Sequence, residues 1–355
     1  MRPSGSVRSR EDDNGFPNRA ASRRVPLQEK VDFLRRPEAY DPPPASVVAI
    51  ETHMAWVFLA GGHAYKLKKP VKQRTLDFST IEARRRTCRE EVRLNRRLSP
   101  SIYLGVVQLG MTCDGRLVLG EIGPAQDWLV HMRRLPREGM LDRMVSSGEA
   151  VPGRLRPAAE LLARFYRSLA PISMAPSRYR DRIRTEIDET ARELGEPGYG
   201  VPKAEVEDVT RELEAFVAGN GPVLTARVQE GRIVEGHGDL RPEHVYLGPP
   251  PAVIDCLEFD RELRVMDAAD DLSFLDLECR RLGSREAGGY FLAAYAHATG
   301  DHPPEALLSF YRRFRAFVRA KIAIRHLDHV PVDPDRWREG ARRYLAMARQ
   351  NRPPV

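Results

Sequence analysis

Short apolar runs bounded by glycine or polar residues dominate the first third of the chain. VVAIET, AWVFLAG and HAYKLKK, between residues 47 and 69, have the length and the β-branched or aromatic content of strands. Gly61 and Gly62 separate the last two runs, as in a tight hairpin. YLGVVQL, GRLVLGEI and DWLVHMRRL follow between residues 103 and 135. The pattern predicts a strand-rich first region.

Two segments of this region are predicted to be helical. LQEKVDFLRR, residues 27–36, favours a short helix that ends before Pro37. STIEARRRTCREEVRLNRRL, which starts at Ser79, favours a long helix with a capping box, in which Ser79 or Thr80 begins the helix and Glu82 lies in its first turn. We expect this to be the one main helix of the region.

The character of the chain changes after Pro136. Apolar residues then recur with the period of a helix over long stretches. The predicted helices are residues 157–170, 179–195, 203–219, 305–327 and 335–350. Two short strand-like runs, VEG at residue 234 and AVID at residue 252, interrupt this helical region.

The sequence therefore predicts an α+β fold with two lobes. The N-lobe, residues 25–133, holds a small antiparallel sheet and one main helix, and the larger C-lobe, residues 134–355, is mainly helical. Residues 1–24 lack periodic hydrophobicity, so we expect a disordered basic tail there. A cleft between two such lobes is a natural ligand site.

Charge and composition narrow the class of protein. The net charge is +7, but residues 1–36 hold nine basic and five acidic residues, so the rest of the chain is nearly balanced and does not favour nucleic-acid binding. No apolar window is long enough for a membrane helix, and the N-terminus lacks the apolar core of a secretory signal, so we expect a cytoplasmic protein. Cys88, Cys113, Cys256 and Cys279 are isolated, which favours free thiols.

Lysine is rare and concentrated in one place. Seven of the 57 basic residues are lysines, and Lys66, Lys68, Lys69 and Lys72 stand together in YKLKKPVK. A compact ammonium on a flexible stem suits a phosphate group that is reached from one side. An exposed basic strand without a ligand would explain the cluster equally well.

The segment VEGHGDLRPEHVYL places Asp239 on a loop after a strand-like run, and Asp255 follows the next apolar run, AVID. A hairpin between the two positions would bring both carboxylates to one edge. One Asp to accept or orient a hydroxyl proton and one to bind Mg²⁺ is the minimal arrangement for moving a γ-phosphoryl group. Taken alone, HGD is more typical of a plain turn, since Asp and Gly are common turn formers.

Phosphoryl transfer also needs a cation that is held on the phosphates of the nucleotide. Lys66 lies in the third predicted strand, and Glu91 lies in the following helix, so an ion pair between them could fix the ammonium. Glu90 could take the place of Glu91, because the spacing does not separate the two. Either glutamate could instead be a surface charge that pairs with an arginine of its own helix.

These segments resemble the aminoglycoside phosphotransferase family, which has a protein kinase-like fold. The resemblance lies in HGDLRPEHVYL, in IDCLEFDRELRVMDAADDLSFLDLECRRLG, in ETHMAWVFLAGGHAYKLKKPV and in LDFSTIEARRRTCREEVRLNRRLSPSIYLGVV. Together these blocks cover most of residues 45–285. They are most similar to an uncharacterised bacterial branch whose members are often fused to a P-loop ATPase domain.

The resemblance implies a bilobal kinase-like fold and assigns roles to individual residues. Asp239 would be the catalytic Asp of the HGD motif, and Asp255 would be the Mg²⁺-binding Asp. Lys66 and Glu91 would be the pair that positions ATP.

Further residues follow from the same resemblance. His237 would hold the catalytic loop by hydrogen bonds, and Asp271 would support that loop from behind. HMRRL would be the hinge between the lobes, where the backbone of Met132 and Arg133 would meet the adenine.

The sequence departs from the family pattern at three points. His244 stands where the family has an Asn that binds metal, so either the neighbouring Glu243 supplies an oxygen ligand or the second metal site is weak or tolerates Mn²⁺. The first hairpin has no GxGxxG, so Thr52 and backbone amides would have to cover the phosphates. No GxxxxGK[ST] is present, so a P-loop ATPase would have to be a separate partner chain.

We predict an ATP-dependent phosphotransferase that acts on a hydroxyl of a small molecule, with Mg²⁺ or Mn²⁺ as the metal. The arginine-rich segments RFYRS, YRDRIR and YRRFR hint at an anionic acceptor. The alternative is a catalytically weak, nucleotide-binding pseudokinase or regulatory module, which His244 and the missing glycine-rich loop favour.

Overall fold

A computed structural model of the chain describes residues 24–73, 76–329 and 333–350. The predicted basic tail, residues 1–24, lies outside the described residues except for Arg24. No helix in these ranges is long and apolar enough to cross a membrane.

The N-terminal part is built on a six-stranded antiparallel sheet in the order β1-β2-β3-β8-β6-β7. Its strands are β1 (Val47–Glu51), β2 (Ala55–Ala60), β3 (His63–Lys68), β6 (Tyr103–Met111), β7 (Leu117–Leu119) and β8 (Ala125–Arg133). A two-stranded ribbon, β4 (Lys72–Gln73) and β5 (Leu76–Asp77), follows β3. The predicted hairpin at Gly61 is present, and Gly61 has φ +56°, a conformation that costs glycine little. The last strand of the sheet ends at Arg133, where the predicted N-lobe ends.

Two helices pack on this sheet, α1 (Leu27–Leu34) and α2 (Ile81–Asn95). The hydroxyl of Thr80 accepts a hydrogen bond from the Ala83 amide at 3.1 Å and so caps α2. Ser79 instead bonds Asp77, so the cap belongs to Thr80 and not to Ser79. α2 packs against β8 and β6 through Cys88 and Val92, which turns Glu91 towards the interior.

The C-terminal part is mainly helical. Its helices are α3 (Leu141–Ser146), α4 (Pro152–Ser168), α5 (Pro176–Leu194), α6 (Lys203–Gly219), α7 (Gly221–Gln229), α8 (Ala268–Arg281), α9 (Arg285–Thr299), α10 (Glu305–Arg325) and α11 (Pro334–Gln350). The strongly amphipathic α4, α5, α6, α10 and α11 match the predicted segments. The hydrophobic periodicity did not predict α8, because its first twelve residues are all buried and the helix therefore has no exposed polar face.

Two small ribbons present the loops between β9 and α8. β9 (Ile233–Glu235) pairs with β12 (Val265–Asp267), and β10 (Val245–Tyr246) pairs with β11 (Ala252–Val253). The β10–β11 hairpin brings the segment before β10 next to the segment after β11, so Asp239 and Asp255 meet at one edge. The short 3₁₀ turn at Pro242–His244 connects Asp239 to β10.

The end of α2 ties the sheet to these loops. The Arg97 guanidinium donates to the carbonyls of Glu235 and Gly236 at 2.8 and 2.9 Å. The Asn95 side chain accepts a hydrogen bond from the Cys256 amide at 2.9 Å, and the Ser99 hydroxyl donates to the Val253 carbonyl at 2.7 Å. Because both acid-bearing loops are bonded to one helix end, the relative position of sheet and loops is fixed at this point.

Candidate active site

Asp271 organises the backbone of the loop that carries Asp239. Its Oδ2 accepts hydrogen bonds from the His237 amide at 2.6 Å and from the Tyr166 hydroxyl at 2.9 Å. The Gly238 amide also points at this carboxylate, at 3.3 Å, and Gly238 has φ +86°. Asp271 therefore lies behind the loop, where it satisfies backbone amides, while its support of a catalytic loop stays a prediction.

His237 links the two acid-bearing loops. It is fully buried, and its Nε2 lies 2.9 Å from the Ile254 carbonyl, while its Nδ1 lies 3.3 Å from the Asp239 amide. Donation from Nε2–H to Ile254 leaves Nδ1 as the acceptor for Asp239. Burial lowers the pKa of His237, which favours this neutral form. The side chain thus spans from the residue before Asp255 to Asp239 itself.

Asp255 follows β11 and takes the left-handed conformation, with φ +62°. Its amide donates to the Tyr103 hydroxyl at 3.0 Å, and its Oδ1 lies 2.6 Å from Lys66 Nζ. Burial alone would raise the pKa of Asp255, but Lys66 and then His244 hold it well below its usual range. A positive φ at a residue with a side chain is a local strain that the surrounding contacts maintain.

Lys66 pairs with Glu91 and not with Glu90. Lys66 Nζ lies 3.0 Å from Glu91 Oε1, and Glu91 is completely buried. Glu90 points outwards and makes a bidentate pair with Arg93, three residues along the same helix. The structure therefore separates two glutamates that the sequence spacing left equivalent, while the role of the pair in binding ATP stays a prediction.

A second lysine, which the sequence did not distinguish, completes this cluster. Lys68 bonds Glu91 and Glu258, and its side chain is 1% exposed against 16% for Lys66. Because residues two apart on a strand face the same side, both ammonium groups reach Glu91. Only Lys66 is accessible enough to touch a ligand, so Lys68 acts as a buried counter-charge behind it.

Arg241 is a further charged residue that the sequence analysis missed. Its Nε lies 3.2 Å from Asp239, and its Nη1 lies 2.7 Å from Glu243 Oε1. Burial would raise the pKa of Asp239, but Arg241, followed by His244 and Arg319, lowers it. Asp239 is therefore ionised near neutral pH, as acceptance of a hydroxyl proton requires. The spacing of Arg241, two residues after Asp239 on a short loop, was the available signal.

His244 lies between the two aspartates. Its Nδ1 is 2.8 Å from the Asp239 carbonyl and 3.7 Å from the Asp239 carboxylate, and its Nε2 is 3.5 Å from Asp255 Oδ2. Arg241 Nη2 lies 3.2 Å from the same Nε2. If Nδ1–H donates to the Asp239 carbonyl, the Nε2 lone pair accepts from Arg241. A metal bound through His244 would have to displace that contact, so its ligand role stays a prediction.

The residues present fit a magnesium ion that is held largely by the substrate. The described residues contain no ready-made group of three or more metal-ligating side chains. Mg²⁺ commonly uses one or two carboxylates together with substrate phosphates, and the side chain of Asp255 is 42% exposed to the cleft. Glu243 keeps Oε2 buried without a hydrogen-bond partner among the described residues, which makes it the second oxygen candidate.

The remaining predicted contacts with ATP are partly engaged elsewhere. The Thr52 hydroxyl closes the β1–β2 turn, because it donates to the Ala55 carbonyl and accepts from the Ala55 amide. Met132 is paired with both neighbouring strands, and the Arg133 amide donates to the Ile102 carbonyl at 2.9 Å. Covering of the phosphates by Thr52 and adenine contacts at Met132 and Arg133 stay predictions, and this Arg133 amide is already in use.

A cavity of about 570 Å³ opens beside the loop of Asp239. It lies between α5, α8 and α10, and the segment from Leu257 to Met266 closes one side. Gly238 and Asp239 line it, so a molecule in the cavity would present its polar groups to the Asp239 carboxylate. No sequence motif pointed to these helix faces.

Comparisons with known proteins place this geometry in context. No family model matches the chain. Uncharacterized proteins from Mycobacterium tuberculosis and Mycobacterium bovis are each 39% identical over 284 residues, which are 77% of this chain and 53% of theirs. The chain thus spans about half the length of the curated relatives it matches.

Solved structures of small-molecule kinases match almost the whole chain. A spectinomycin phosphotransferase in complex with ADP and spectinomycin covers 93% of this chain and 99% of its own, with 12% identity and a TM-score of 0.53. A choline kinase from Cryptosporidium parvum covers 91% and 93%, with 11% identity and a TM-score of 0.53. A choline/ethanolamine kinase family protein from Mesorhizobium loti covers 90% and 99%, with 15% identity and a TM-score of 0.50. The chain has the bilobal, kinase-like α+β fold of these proteins, which confirms the predicted fold class.

Proposed function

We propose that this chain is an ATP-dependent phosphotransferase that moves the γ-phosphoryl group to a hydroxyl of a small molecule. One observation carries the proposal: Lys66 reaches from the sheet to Asp255 at 2.6 Å, while His244 stands between Asp255 and Asp239 at 3.5 and 3.7 Å. A cation, a metal-binding acid and a hydroxyl-orienting acid thus converge in one cleft, as phosphoryl transfer requires. The matched structures named as kinases and phosphotransferases support the same chemistry.

Asp239 is the proposed catalytic residue. Its carboxylate faces the cavity and is kept ionised by Arg241, so it can accept the proton of an acceptor hydroxyl or orient that hydroxyl for in-line attack. Asp271 and His237 keep its loop in place through the bonds to the His237 amide and to Ile254. The acid therefore needs no large rearrangement before it can act.

Lys66, Asp255 and Glu243 are the proposed ligands of the nucleotide and its metal. Lys66 would contact the phosphates while Glu91 holds its ammonium. Asp255, with Glu243 as a second oxygen, would hold Mg²⁺, which would offset the negative charge of the phosphates. The direct Lys66–Asp255 contact would open to admit both.

That same contact favours a second candidate function. A structure in which Lys66 already neutralises Asp255, and Arg241 already faces His244, suits a module that binds nucleotide without efficient transfer. This pseudokinase would be stabilised by ATP without turning it over. A separate P-loop ATPase partner and a cytoplasmic location stay predictions from the sequence.

The two candidates differ in what the loss of Asp239 does. The experiment measures ATP-dependent thermal stabilisation and ADP release, each with Mg²⁺ and with Mn²⁺, for the wild type, Asp239→Asn and Asp255→Asn. We expect Asp239→Asn to keep the stabilisation by ATP and to lose ADP release by about a hundredfold or more. Asp255→Asn should lose the metal-dependent part of the stabilisation.

Asp188→Asn is the matched control, because Asp188 is exposed on α5 and takes no part in the cleft. It should behave as the wild type in both measurements. Stabilisation by ATP with no release of ADP above the Asp239→Asn level would support the pseudokinase instead. Absence of any effect of ATP on the wild type would contradict both candidates.

A further inference from the structure

The cavity beside Asp239 differs from the rest of the cleft in its lining. Its volume, about 570 Å³, is in the range of sites for drug-sized ligands. Aliphatic and aromatic side chains contributed by α5, α8, α10 and the segment after Asp255 form most of its wall, among them Ile183, Leu257, Met266, Phe274, Phe314 and Val318. Such a wall suits an apolar body.

The acidic residues that line this cavity are already compensated within the chain. Arg315 makes a bidentate pair with Asp270, with Nε at 2.7 Å from Oδ1. Glu186 binds Lys321 at 2.5 Å.

Two exposed acids at the rim are also paired, Asp181 with Arg184 and Glu262 with Arg182, each at 3.6 Å. Every acid that lines the cavity thus has an arginine or lysine partner within the chain, which weakens its attraction for a cationic ligand.

The aromatic rings that line the cavity are likewise covered by side chains of the same chain. The guanidinium of Arg315 lies 5.8 Å from the ring of Phe274 and 5.6 Å from that of Phe314. Arg319 lies 6.0 Å from Phe274. Aromatic faces are the other common device for binding a quaternary ammonium group. Here the chain's own arginines cover them and would repel a second cation.

The charges of the arginines, in turn, are offset within the chain. Arg315 is held by Asp270, Arg182 lies near Glu262 and donates to the Val265 carbonyl, and Arg319 Nε lies 3.7 Å from Glu278. Arg178, at the rim, lies 4.0 Å from Glu262. Arg182 Nη1 and Arg319 Nε have no hydrogen-bond partner among the described residues, so each can donate to a neutral oxygen of a ligand. A net charge brought into this apolar space would lose its hydration without gaining a counter-charge. The arginine-rich sequence therefore does not indicate an anionic acceptor at this cavity.

We propose that the acceptor is an uncharged alcohol with a largely apolar body, which lies between α5 and α10 with its hydroxyl at Asp239. This inference rests on the proposed phosphotransfer, because it assigns the cavity to the acceptor. It distinguishes this chain from the spectinomycin phosphotransferase and the choline kinase whose fold it shares.

The test compares two alcohols that differ in one atom. Choline carries a quaternary nitrogen where 3,3-dimethyl-1-butanol carries a carbon, so their sizes are the same and only the charge differs. Ligand-detected NMR on the full-length protein measures both dissociation constants, with 4-hydroxybutanoate as an anionic probe and octyl β-glucoside as a larger neutral one. We expect the neutral isostere to bind at least about tenfold more tightly than choline, and octyl glucoside more tightly still. Equal or tighter binding of choline or of the anion, or binding of none of the four probes, would overturn the proposal.

Two variants test whether the Arg315–Asp270 pair causes the preference for a neutral alcohol. Arg315→Met leaves Asp270 without its partner and uncovers Phe274 and Phe314, so choline should gain about tenfold or more relative to the neutral alcohol, and the gain should be larger at high pH than at low pH. The double variant Asp270→Asn/Arg315→Met removes both charges and should restore the preference for the neutral alcohol. A preference that is the same in all three proteins would contradict the assigned cause. If Arg315→Met does not fold, Arg315→Gln, which also removes the charge of Arg315, takes its place with the same expectation.

These measurements are independent of phosphotransfer. Binding is recorded without ATP, so a pseudokinase would still show the preference for neutral alcohols if the cavity argument holds. Conversely, ATP-dependent phosphorylation of choline by the wild type would overturn the inference on the acceptor and leave the proposed enzyme class intact.

Discussion

The two walls of the cleft differ in how their charged groups are arranged. On the nucleotide side, Lys66, Lys68, Glu91, Asp255 and Glu258 form a continuous chain of ionic contacts across the two lobes. On the acceptor side, between α5 and α10, apolar side chains form the wall and each charged group is paired within the chain. Both walls contain many ionisable residues, so composition does not distinguish them.

The difference lies in which charges remain accessible. Lys66 and Asp255 are 16% and 42% exposed and contact each other, so an entering phosphate and metal can exchange partners with them. Asp270 on the other wall is 6% exposed and makes a bidentate pair with Arg315. Breaking such a buried pair would cost more free energy than the binding of a neutral ligand could supply. The same residue types thus form a charge-binding site on one wall and a closed, neutral surface on the other.

The largest effect should come from removing the centre of the nucleotide-side network. Glu91→Gln leaves Lys66 and Lys68 to share Asp255 and Glu258, so we expect the free energy of unfolding to fall by about 3 kcal/mol, the lower end for a broken buried pair. Urea denaturation measures this. Glu160→Gln is the control, because its pair with Arg164 on α4 is exposed and should contribute less than about 1 kcal/mol. Equal losses of unfolding free energy in the two variants would show that the network does not stabilise that wall.

The same contrast explains what the sequence could predict. The six main strands were predictable as short apolar runs bounded by glycine or polar residues, and α2 was predictable from its capping box. The long helices after Pro136 were predictable because apolar residues recur in them with the period of a helix. Asp239, Asp255 and the lysine strand were recognisable because short motifs hold them. The choice of Glu91 over Glu90 required the structure, since neighbouring residues on a helix differ only in the direction they face.

The acceptor wall could not be predicted. Ile183, Phe274, Phe314 and Val318 come from three helices, and their spacing is the ordinary spacing of a helix that packs on a core. Arg241 was missed for another reason. Arginine is so common in this chain that composition gave no signal; only the spacing of Arg241, two residues after Asp239, indicated a role, and the contact between the two residues shows it.

A variant of Arg241 tests whether this residue controls the protonation of Asp239, which lies between the two walls. Arg241→Met removes the cation that lowers the pKa of Asp239, so that burial, which raises this pKa, prevails. In the proposed reaction the ionised carboxylate is the active form, so the acidic limb of kcat/KM should move to higher pH. Arg241→Lys should keep most of the wild-type profile because it keeps the charge. A profile in Arg241→Met that coincides with that of the wild type would remove Arg241 from the site.

Tyr166 should have a smaller effect that is confined to the loop between the walls. Tyr166→Phe removes the hydroxyl that donates to Asp271 at 2.9 Å in the core, so we expect a loss of about 1.5 kcal/mol in the free energy of unfolding. Tyr290→Phe, on a half-buried tyrosine for which the described residues provide no hydrogen bond, should change it by less than about 0.5 kcal/mol. The preference between choline and its neutral isostere should be unaffected in Tyr166→Phe. A changed preference would mean that the loop, and not the cavity, selects the acceptor.

Mild acid should lower the stability of the nucleotide side more than that of the acceptor cavity, which has no histidine in its lining. His131, on β8 next to the predicted hinge, stacks on Tyr65 with ring centres 4.5 Å apart, and burial together with His63 lowers the pKa of His131 to about 4. The unfolded chain takes up this proton near the ordinary histidine pKa of about 6.5. Stability should therefore fall as the pH decreases from about 6.5 to about 4, with a slope below about 1.4 kcal/mol per pH unit because the ring is only half-buried. Urea denaturation at several pH values should show a shallower slope for His131→Gln than for the wild type and an unchanged slope for His302→Gln, on an exposed histidine of the C-terminal part. If His131→Gln keeps the wild-type slope, the acid sensitivity does not originate in His131, and His237, whose pKa is also lowered by burial, is the next residue to test, in the loop of Asp239 that both walls share.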